Sequence, residues 1–281
     1  MKPAPFDYHR ATSLADAVAV LAASDGEAKL IAGGQSLVPL LSMRLAQPTL
    51  LVDLNALEDL QTAELVDAGR PAVRFGAMSR HCDVQRQSLH PLAAEMAGWI
   101  GHTAIRSRGT MGGSLAHADP NAEYPALALA CDAVVHARSL RGERRIAMDG
   151  FFEGMLQTTI TDDEVVTAVD LKLPRRWGFA ELARRRGDFA LVLACVTELS
   201  DGWRVVVGGV DSTPIRVVQA EKALGDGADA AEVARVVQTG IIAYDDLHAG
   251  SDYRIAMAAE LSRRAAEQAT ATSTTSDRSA R

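Results

Sequence analysis

The stretch Lys29-Leu30-Ile31-Ala32-Gly33-Gly34-Gln35-Ser36-Leu37 decides how we interpret this chain. An apolar run leads into a glycine pair and then a small polar residue. That order predicts a buried strand, a tight turn and the start of the next segment. Glycines let a backbone approach a ligand closely, and the exposed N–H groups of such a turn can hold an anion. The stretch is therefore a candidate phosphate loop.

A second glycine-rich stretch lies further along the chain, at Arg106-Ser107-Arg108-Gly109-Thr110-Met111-Gly112-Gly113-Ser114. It is again a loop of small residues with hydroxyl groups. Each glycine pair is followed by a serine within two residues. We therefore interpret the two stretches as loops that hold one diphosphate from both sides.

Composition excludes several classes of protein. The chain has 281 residues, of which 48% are hydrophobic and 23% charged, so it is long enough for two domains or one large domain with an ample core. The net charge of −7 argues against a nucleic-acid-binding surface. No run of about eighteen apolar residues predicts a membrane span, and the N-terminus lacks a secretory signal. We therefore expect a cytoplasmic protein.

The cysteines argue against a metal site in this chain. Cys82, Cys131 and Cys195 are far apart and form no Cys-x-x-Cys pair. Neither a zinc site nor a cysteine-ligated iron–sulfur cluster is therefore predicted, and we expect three reduced thiols.

The order of predicted elements indicates three regions and a tail. Residues 1–56 read as strand, helix and strand around the first loop, which is typical of α/β structure. Residues 57–175 contain further strands and helices, including a short helix starting at Phe151-Phe152. Residues 176–268 begin with a hairpin formed by Phe189–Leu199 and Trp203–Val210 and end with three helices. Residues 269–281, rich in Thr, Ser and Ala, are expected to be disordered.

Several motifs together resemble one protein family. The first loop with Arg44 downstream, and the stretch from Ile105 to Pro120, are similar to the FAD-binding medium subunit of molybdenum hydroxylases, the family of xanthine dehydrogenase and aerobic carbon monoxide dehydrogenase. Gly187-Asp188-Phe189-Ala190 resembles the family's start of the C-terminal domain. Asp246-Leu247-His248 with Tyr253-Arg254 resembles its last segment. The resemblance extends over residues 1–268 in the expected order.

The resemblance implies a fold and an assembly. The fold would be α+β, with two α/β FAD-binding subdomains of the PCMH-type FAD fold followed by a C-terminal antiparallel sheet and three-helix bundle. The partners would be a small subunit with [2Fe-2S] clusters and a large subunit with the molybdopterin cofactor, assembled as a dimer of heterotrimers. Substrate would be hydroxylated at molybdenum. Electrons would pass through the clusters to FAD in this chain, and then to an external acceptor.

The resemblance also implies which residues contact FAD, and it assigns no catalytic residue to this chain. The first loop would wrap the pyrophosphate, with its backbone N–H groups and Ser36 as donors, and Thr110 to Ser114 would hold the other side. Asp119 and Glu123 would meet the ribose or adenine end, and Phe189 would lie against the isoalloxazine ring. The expected cofactor-binding residues are Leu30, Ile31, Ala32, Gly33, Gly34, Gln35, Ser36, Leu37, Ile100, His102, Thr103, Gly109, Thr110, Gly112, Gly113, Ser114, Asp119, Glu123, Val166 and Phe189.

Three positions depart from the family pattern. The carbon monoxide enzymes have Tyr where Phe189 stands and typically His where Gln35 stands, so we expect an N-heteroaromatic or related organic substrate instead. Glu181 stands where a family lysine is expected. Asp119 and Glu123 fit ligand contact and helix capping equally well, and we interpret His117 as a residue that orders its turn.

Two other functions stay open at this level. One is the medium subunit of a carbon monoxide dehydrogenase. The other is a free-standing FAD-dependent reductase of the same fold, although the C-terminal part offers no clear substrate pocket with an acid. The two intact glycine pairs argue against a scaffold that has lost its cofactor.

Overall fold

The computed structural model describes residues 2–67 and 69–271. Its first layer is a three-stranded parallel sheet in the order β1-β3-β2. The elements of this layer are β1 (Asp7–Arg10), α1 (Leu14–Ala23), β2 (Ala28–Ile31), α2 (Leu37–Ser42) and β3 (Leu50–Asp53).

Local sequence explains the first helix. The Ser13 side chain accepts a hydrogen bond from the Asp16 N–H and so caps the N-terminus of α1. One face of the helix, at Ala17, Val18 and Leu21, is buried in the same core as the sheet. The first glycine loop follows β2 directly, which places it at the carboxyl edge of the sheet.

The second layer is a five-stranded antiparallel sheet in the order β4-β5-β10-β6-β7, covered by short helices. Its core contains the fully buried side chains of Phe75, Leu92, Leu127 and Leu171. The elements are β4 (Ala63–Asp67), β5 (Pro71–Gly76), α3 (His81–Arg86), α4 (Pro91–Ala97), α5 (Thr103–Arg106), α6 (Met111–His117), α7 (Glu123–Ala130), β6 (Val134–Ser139), β7 (Gly142–Ala147), β8 (Phe152–Gly154), β9 (Gln157–Thr158) and β10 (Val165–Lys172).

The helix predicted to start at Phe151-Phe152 is wrong. Strand β8 pairs with β9 to form a small hairpin. Leu156 in its turn has φ +58, a conformation that closes the hairpin and that a helix cannot contain. Phe151 is fully buried and packs edge to face against Phe152, so tertiary packing holds the segment extended.

The third layer is a four-stranded antiparallel sheet in the order β11-β12-β13-β14, with three helices. Its elements are β11 (Arg176–Ala183), β12 (Ala190–Leu199), β13 (Gly202–Gly208), β14 (Ile215–Arg216), α8 (Val218–Gly225), α9 (Ala230–Gly240) and α10 (Ser251–Thr270). The sequence predicts β12, β13 and the three helices but misses β11. This strand carries Gly178 because a Cβ there would lie 2.8 Å from the Ala265 carbonyl carbon of α10.

Two packing contacts hold the third layer against the second. The ring of Phe179 in β11 meets Trp99 edge to face, with 5.9 Å between ring centroids. Gly187, with φ +91, lies so close to His102 that a Cβ would be 2.7 Å from its Nδ1. These contacts bring the segment before β12 to the region that precedes the second glycine loop.

The C-terminal helix is longer than predicted. It ends at Thr270, and Ala269 is buried in the C-terminal core, so the expected disorder is wrong for residues 269 and 270. The other residues of the predicted tail, 272–281, lie outside the described part of the chain. None of the described helices combines the length and apolar character needed to cross a bilayer.

Candidate functional site

The two glycine loops lie directly against each other. A Cβ on Gly33 would be 2.7 Å from the Gly109 Cα and 2.8 Å from the Arg108 carbonyl carbon, so only glycine allows this approach. Arg80 reinforces the junction, because its guanidinium donates to the Arg108 carbonyl and to the Asn55 side chain. The backbone of one loop therefore forms a wall against the other.

The first loop presents free backbone donors. Within the described residues, the N–H groups of residues 33–37 have no acceptor. Gly34 has φ +72, and the Ala32 carbonyl accepts from the Asn55 amide at 2.8 Å, on the far side of the chain. The Ser36 hydroxyl makes no cap hydrogen bond. Consecutive unpaired N–H groups next to a left-handed glycine form an anion-binding concavity, which fits a diphosphate.

The second loop has its backbone donors occupied. The N–H groups of Met111 and Gly112 donate to Ser79 and Ala77 carbonyls at 3.0 and 2.8 Å. Gly113 donates to the Thr110 hydroxyl, which caps α6. The N–H groups at the start of α6 are therefore already used, and the second loop offers a close backbone surface. Its contact with the diphosphate stays a prediction.

Two adjoining cavities line the loops. The first, here called the loop cavity, has a volume of about 250 Å³, and the second, the sheet cavity, about 690 Å³. Both are lined by Ala32, Leu37, Leu40, Gly113 and His117, so the two cavities are neighbours, and together they are called the trough here. Two neighbouring cavities suit a dinucleotide, because its two ring systems lie at opposite ends of the diphosphate.

Most of the expected residues line this trough. The loop cavity contains Ala32, Gly33, Gly34, Gln35, Ser36, Leu37, Ile100, Gly109, Thr110, Gly113, Ser114, Asp119, Glu123 and Phe189. The sheet cavity contains Leu30, Gly112 and Val166 among the expected residues. Asp119 and Glu123 therefore lie at the same end as Ile100 and Phe189, while Val166 lies at the other end.

Three expected residues line neither cavity. The side chain of Ile31 packs against the turn, since a Cβ on Gly34 would lie 3.4 Å from its Cδ1. His102 packs against Gly187, and Thr103 is an exposed residue at the start of α5.

Four residues of the loop cavity were not expected there from the sequence: Leu40, His81, Ile105 and Ala122. His117, interpreted from the sequence as ordering its turn, also lines this cavity. His81 arrives there because Arg80 bridges to Thr110, which no local pattern signals. Its ring is buried and its Nδ1 has no partner within the described residues. Burial, followed by the charges of Arg80 and Arg106, lowers the His81 pKa to about 3, so the ring is neutral. An unpaired nitrogen at the cavity wall fits a polar cofactor or a bound water.

The acidic pair at this end divides into two roles. Asp119 accepts the Asn121 N–H at 2.9 Å and so orders its turn. Glu123 is the first residue of α7 and is 4% exposed. Burial, then the neighbouring Glu181 and Asp119, raise the pKa of Glu123 well above its usual value and so favour its protonated form.

Phe189 marks the mouth of the loop cavity. It is 60% exposed although it is a large apolar side chain. An ordinary core phenylalanine would be buried, so this ring is available to a ligand in the cavity.

A separate cavity of about 500 Å³ is lined by Asp132, Lys172 and Arg216 among others. Three of its charged groups are paired. Asp132 accepts from Lys172 at 3.0 Å and pairs with Arg204 at 2.7 Å, while Arg216 pairs with Glu221 at 2.6 Å. Asp149, which also lines this cavity, is exposed to solvent.

Gly113→Val should remove flavin from the protein. A Cβ at Gly113 would lie 2.7 Å from the Thr110 hydroxyl and 3.7 Å from the Ala32 Cβ, so a branched side chain fills the gap between the loops. We expect FAD to bind at least about 100-fold more weakly, measured by flavin absorbance after dialysis. Flavin content equal to that of the unaltered protein would contradict this role of Gly113.

Known proteins share this architecture. Residues 4–175 match the family described as the FAD binding domain in molybdopterin dehydrogenase, and residues 177–269 match the CO dehydrogenase flavoprotein C-terminal domain. The 6-hydroxypseudooxynicotine dehydrogenase complex subunit alpha of Paenarthrobacter nicotinovorans is 39% identical over 272 residues, covering 90% of each chain. The nicotine 6-hydroxylase medium subunit of the same organism is 37% identical over 278 residues, covering 94% of this chain and 97% of the relative.

A solved structure agrees over nearly the whole length. Quinoline 2-oxidoreductase from Pseudomonas putida 86 superposes with a TM-score of 0.89 at 34% identity, covering 96% of this chain and 98% of the other. Family, relatives and fold agree with the glycine-loop trough described above. The chain belongs to the FAD-binding medium subunits of the molybdenum hydroxylases and is an oxidoreductase flavoprotein subunit.

Proposed function

We propose that this chain accepts electrons from the [2Fe-2S] clusters of a small partner subunit onto FAD and passes them to an external acceptor. A large molybdopterin subunit would oxidise the substrate, and the complex would be a dimer of heterotrimers. The observation that carries the proposal is the row of N–H groups at residues 33–37 that have no acceptor within the described residues. This row adjoins the second glycine loop and lines the same cavity as the exposed Phe189.

The residues of the trough would each contribute to holding the cofactor. The first loop binds the diphosphate through its N–H groups, and the Gly109 to Gly113 backbone closes the other side. Ile100 and Phe189 offer apolar surface to the isoalloxazine ring, and Val166 offers it in the sheet cavity. When bound, FAD supplies a centre that takes up electrons singly or in pairs.

We infer that residues 1–56 and 57–175 form the two flavin-binding subdomains and residues 176–268 the C-terminal domain.

We infer that the substrate of the complex is an N-heteroaromatic or related organic compound. The names of two relatives support this, because nicotine and quinoline contain nitrogen heterocycles. Phe189 and Gln35 in the loop cavity agree with this assignment. The substrate itself would bind on the large subunit.

Purification of the native complex tests the proposal. We expect FAD, iron and molybdenum to co-purify with this chain and two further polypeptides, and N-heteroaromatic compounds to bleach the flavin band. A protein that holds FAD alone and oxidises a substrate without partners would be a free-standing reductase. Bleaching by carbon monoxide but by no heteroaromatic compound would contradict the substrate assignment.

Phe189→Ala should loosen the flavin ring and leave the diphosphate contacts intact. The side chain is largely exposed, so its loss removes little core packing, while a stacking contact contributes about 0.5–1.5 kcal/mol beyond burial. We expect altered flavin fluorescence and faster reoxidation by small oxidants. Phe189→Tyr keeps an aromatic face and serves as the control, with near-normal behaviour. Unchanged fluorescence and reoxidation in Phe189→Ala would show that the ring does not cover the flavin.

A further inference from the structure

Two buried carboxyl groups meet behind the loop cavity. Glu123 lines the cavity at the start of α7. Glu181 lies on β11, and its Oε2 is buried with no hydrogen-bond partner within the described residues. Because side chains alternate along a strand, Glu181 lies on the same face of β11 as Phe179, whose ring packs against Trp99 in the second layer. Glu181 therefore faces the layer that carries α7.

Neither carboxyl group has a counterion. Within the described residues, no lysine, arginine or histidine forms an ion pair with Glu123 or Glu181. Burial alone raises the pKa of Glu181, while burial and the neighbouring acids Glu181 and Asp119 raise the pKa of Glu123. The titratable or charged groups on the elements packed around them are Asp119, His117, His81, Tyr124, Glu95 on α4, and Arg186, whose guanidinium lies 5.3 Å from the Trp99 ring centroid.

Two such groups cannot both ionise in a buried place. Burial raises the pKa of Glu181 to about 7, while burial and Glu181 itself raise the pKa of Glu123 further above its usual value. Like charges held out of water separate into two titration steps that belong to the pair. Near neutral pH the pair therefore holds at least one proton and lies poised to bind a second.

We propose that Glu123 and Glu181 share one proton behind the flavin and take up a second proton when the flavin is reduced. The inference rests on the proposed binding of FAD in the loop cavity. Two electrons, from the iron–sulfur partner or an electrode, and one proton enter the flavin, which gains one net negative charge. The singly protonated pair binds one proton from water and becomes neutral. In total two electrons and two protons enter, so the net charge of the buried region is unchanged.

Potentiometric titration of the purified FAD-containing complex tests this pair. The slope of the flavin midpoint potential against pH between 7 and 8 gives the number of protons bound per two electrons. We expect about two protons in the unaltered protein and close to one in Glu181→Gln, which keeps the shape of the side chain but cannot titrate. Asp188→Asn is the matched control, since this carboxylate is exposed and adjoins Phe189 at the same cavity. The Asp188→Asn variant should still bind about two protons per two electrons.

The outcomes separate the two proposals. A purified protein without FAD would contradict the proposed function. Two protons per two electrons in a flavin-loaded Glu181→Gln would overturn the role of the pair while leaving the proposed function intact. If Glu181→Gln does not fold, Glu181→Met, whose apolar side chain suits a place shielded from water, is titrated in its place and should likewise bind one proton fewer than the unaltered protein. Retention of two protons in that variant would overturn the inference.

Discussion

Gly33→Ala is expected to yield a folded chain that has lost its flavin. A single methyl group at this position would overlap the Arg108 carbonyl and lie 2.7 Å from the Gly109 Cα. These are backbone atoms, so no side-chain rotation can relieve the overlap, and the two loops must separate. Separation moves the unpaired N–H groups of the first loop away from the wall that closes the diphosphate site. We expect FAD binding to weaken by more than about 100-fold, close to 3 kcal/mol.

Flavin absorbance of the purified variant and its thermal unfolding measure this effect. Gly240→Ala is the matched control, because a Cβ at the end of α9 would meet nothing within 4 Å. It should retain full flavin. Full flavin content in Gly33→Ala would mean that the loops need not touch in order to bind the cofactor.

Arg254→Met should give the largest loss of stability. The guanidinium is 1% exposed and donates to the carbonyls of Leu191 and Gly209, each at 2.6 Å. It also pairs with Asp246 at 2.7 Å and lies 4.6 Å from the Tyr244 ring centroid. Its removal leaves two carbonyls and a carboxylate without their partner, and breaking a buried pair in this way costs about 3–5 kcal/mol.

Urea unfolding of Arg254→Met and of a control variant, Arg263→Met, measures the loss in the free energy of unfolding. Arg263→Met, on the same helix, removes a half-exposed pair with Glu260 and should cost less than about 1 kcal/mol. Equal losses in the two variants would contradict the assignment of Arg254 as the residue that ties the loop before α10 to the sheet.

Low pH should weaken the ion pair between Asp246 and Arg254. Burial raises the pKa of Asp246, but hydrogen bonds from the Ala249 N–H, Arg254 and the His248 N–H outweigh it and lower the pKa to about 2. A carboxyl whose pKa is lowered by folding stabilises the folded state above its unfolded pKa, near 4. This stabilisation is lost as the pH falls from about 4 to 2. The stability difference between the unaltered protein and Arg254→Met should therefore shrink over this interval, and a constant difference would contradict the coupling.

Local patterns in the sequence determined the first loop and the elements beside it. The apolar run before Gly33 forms a strand, although this strand lies at the edge of its sheet and is only partly buried. Ser13 caps the helix upstream of it, and the periodic C-terminal segment forms helices. Each of these depends on neighbours within a few residues, such as a cap or a helical face, so it can be read from the chain itself.

Tertiary structure decided what those loops can do. The second loop resembles the first in sequence, yet its donors are occupied because α6 packs on Ala77 and Ser79. Strand β11 escaped prediction because helix α10 and neighbouring strands hold it in place. Its Glu181 meets Glu123, and His81 reaches the cavity through a bridge between distant segments. Burial and the charges of neighbours set the proton affinity of a side chain, and both come from residues far away along the chain.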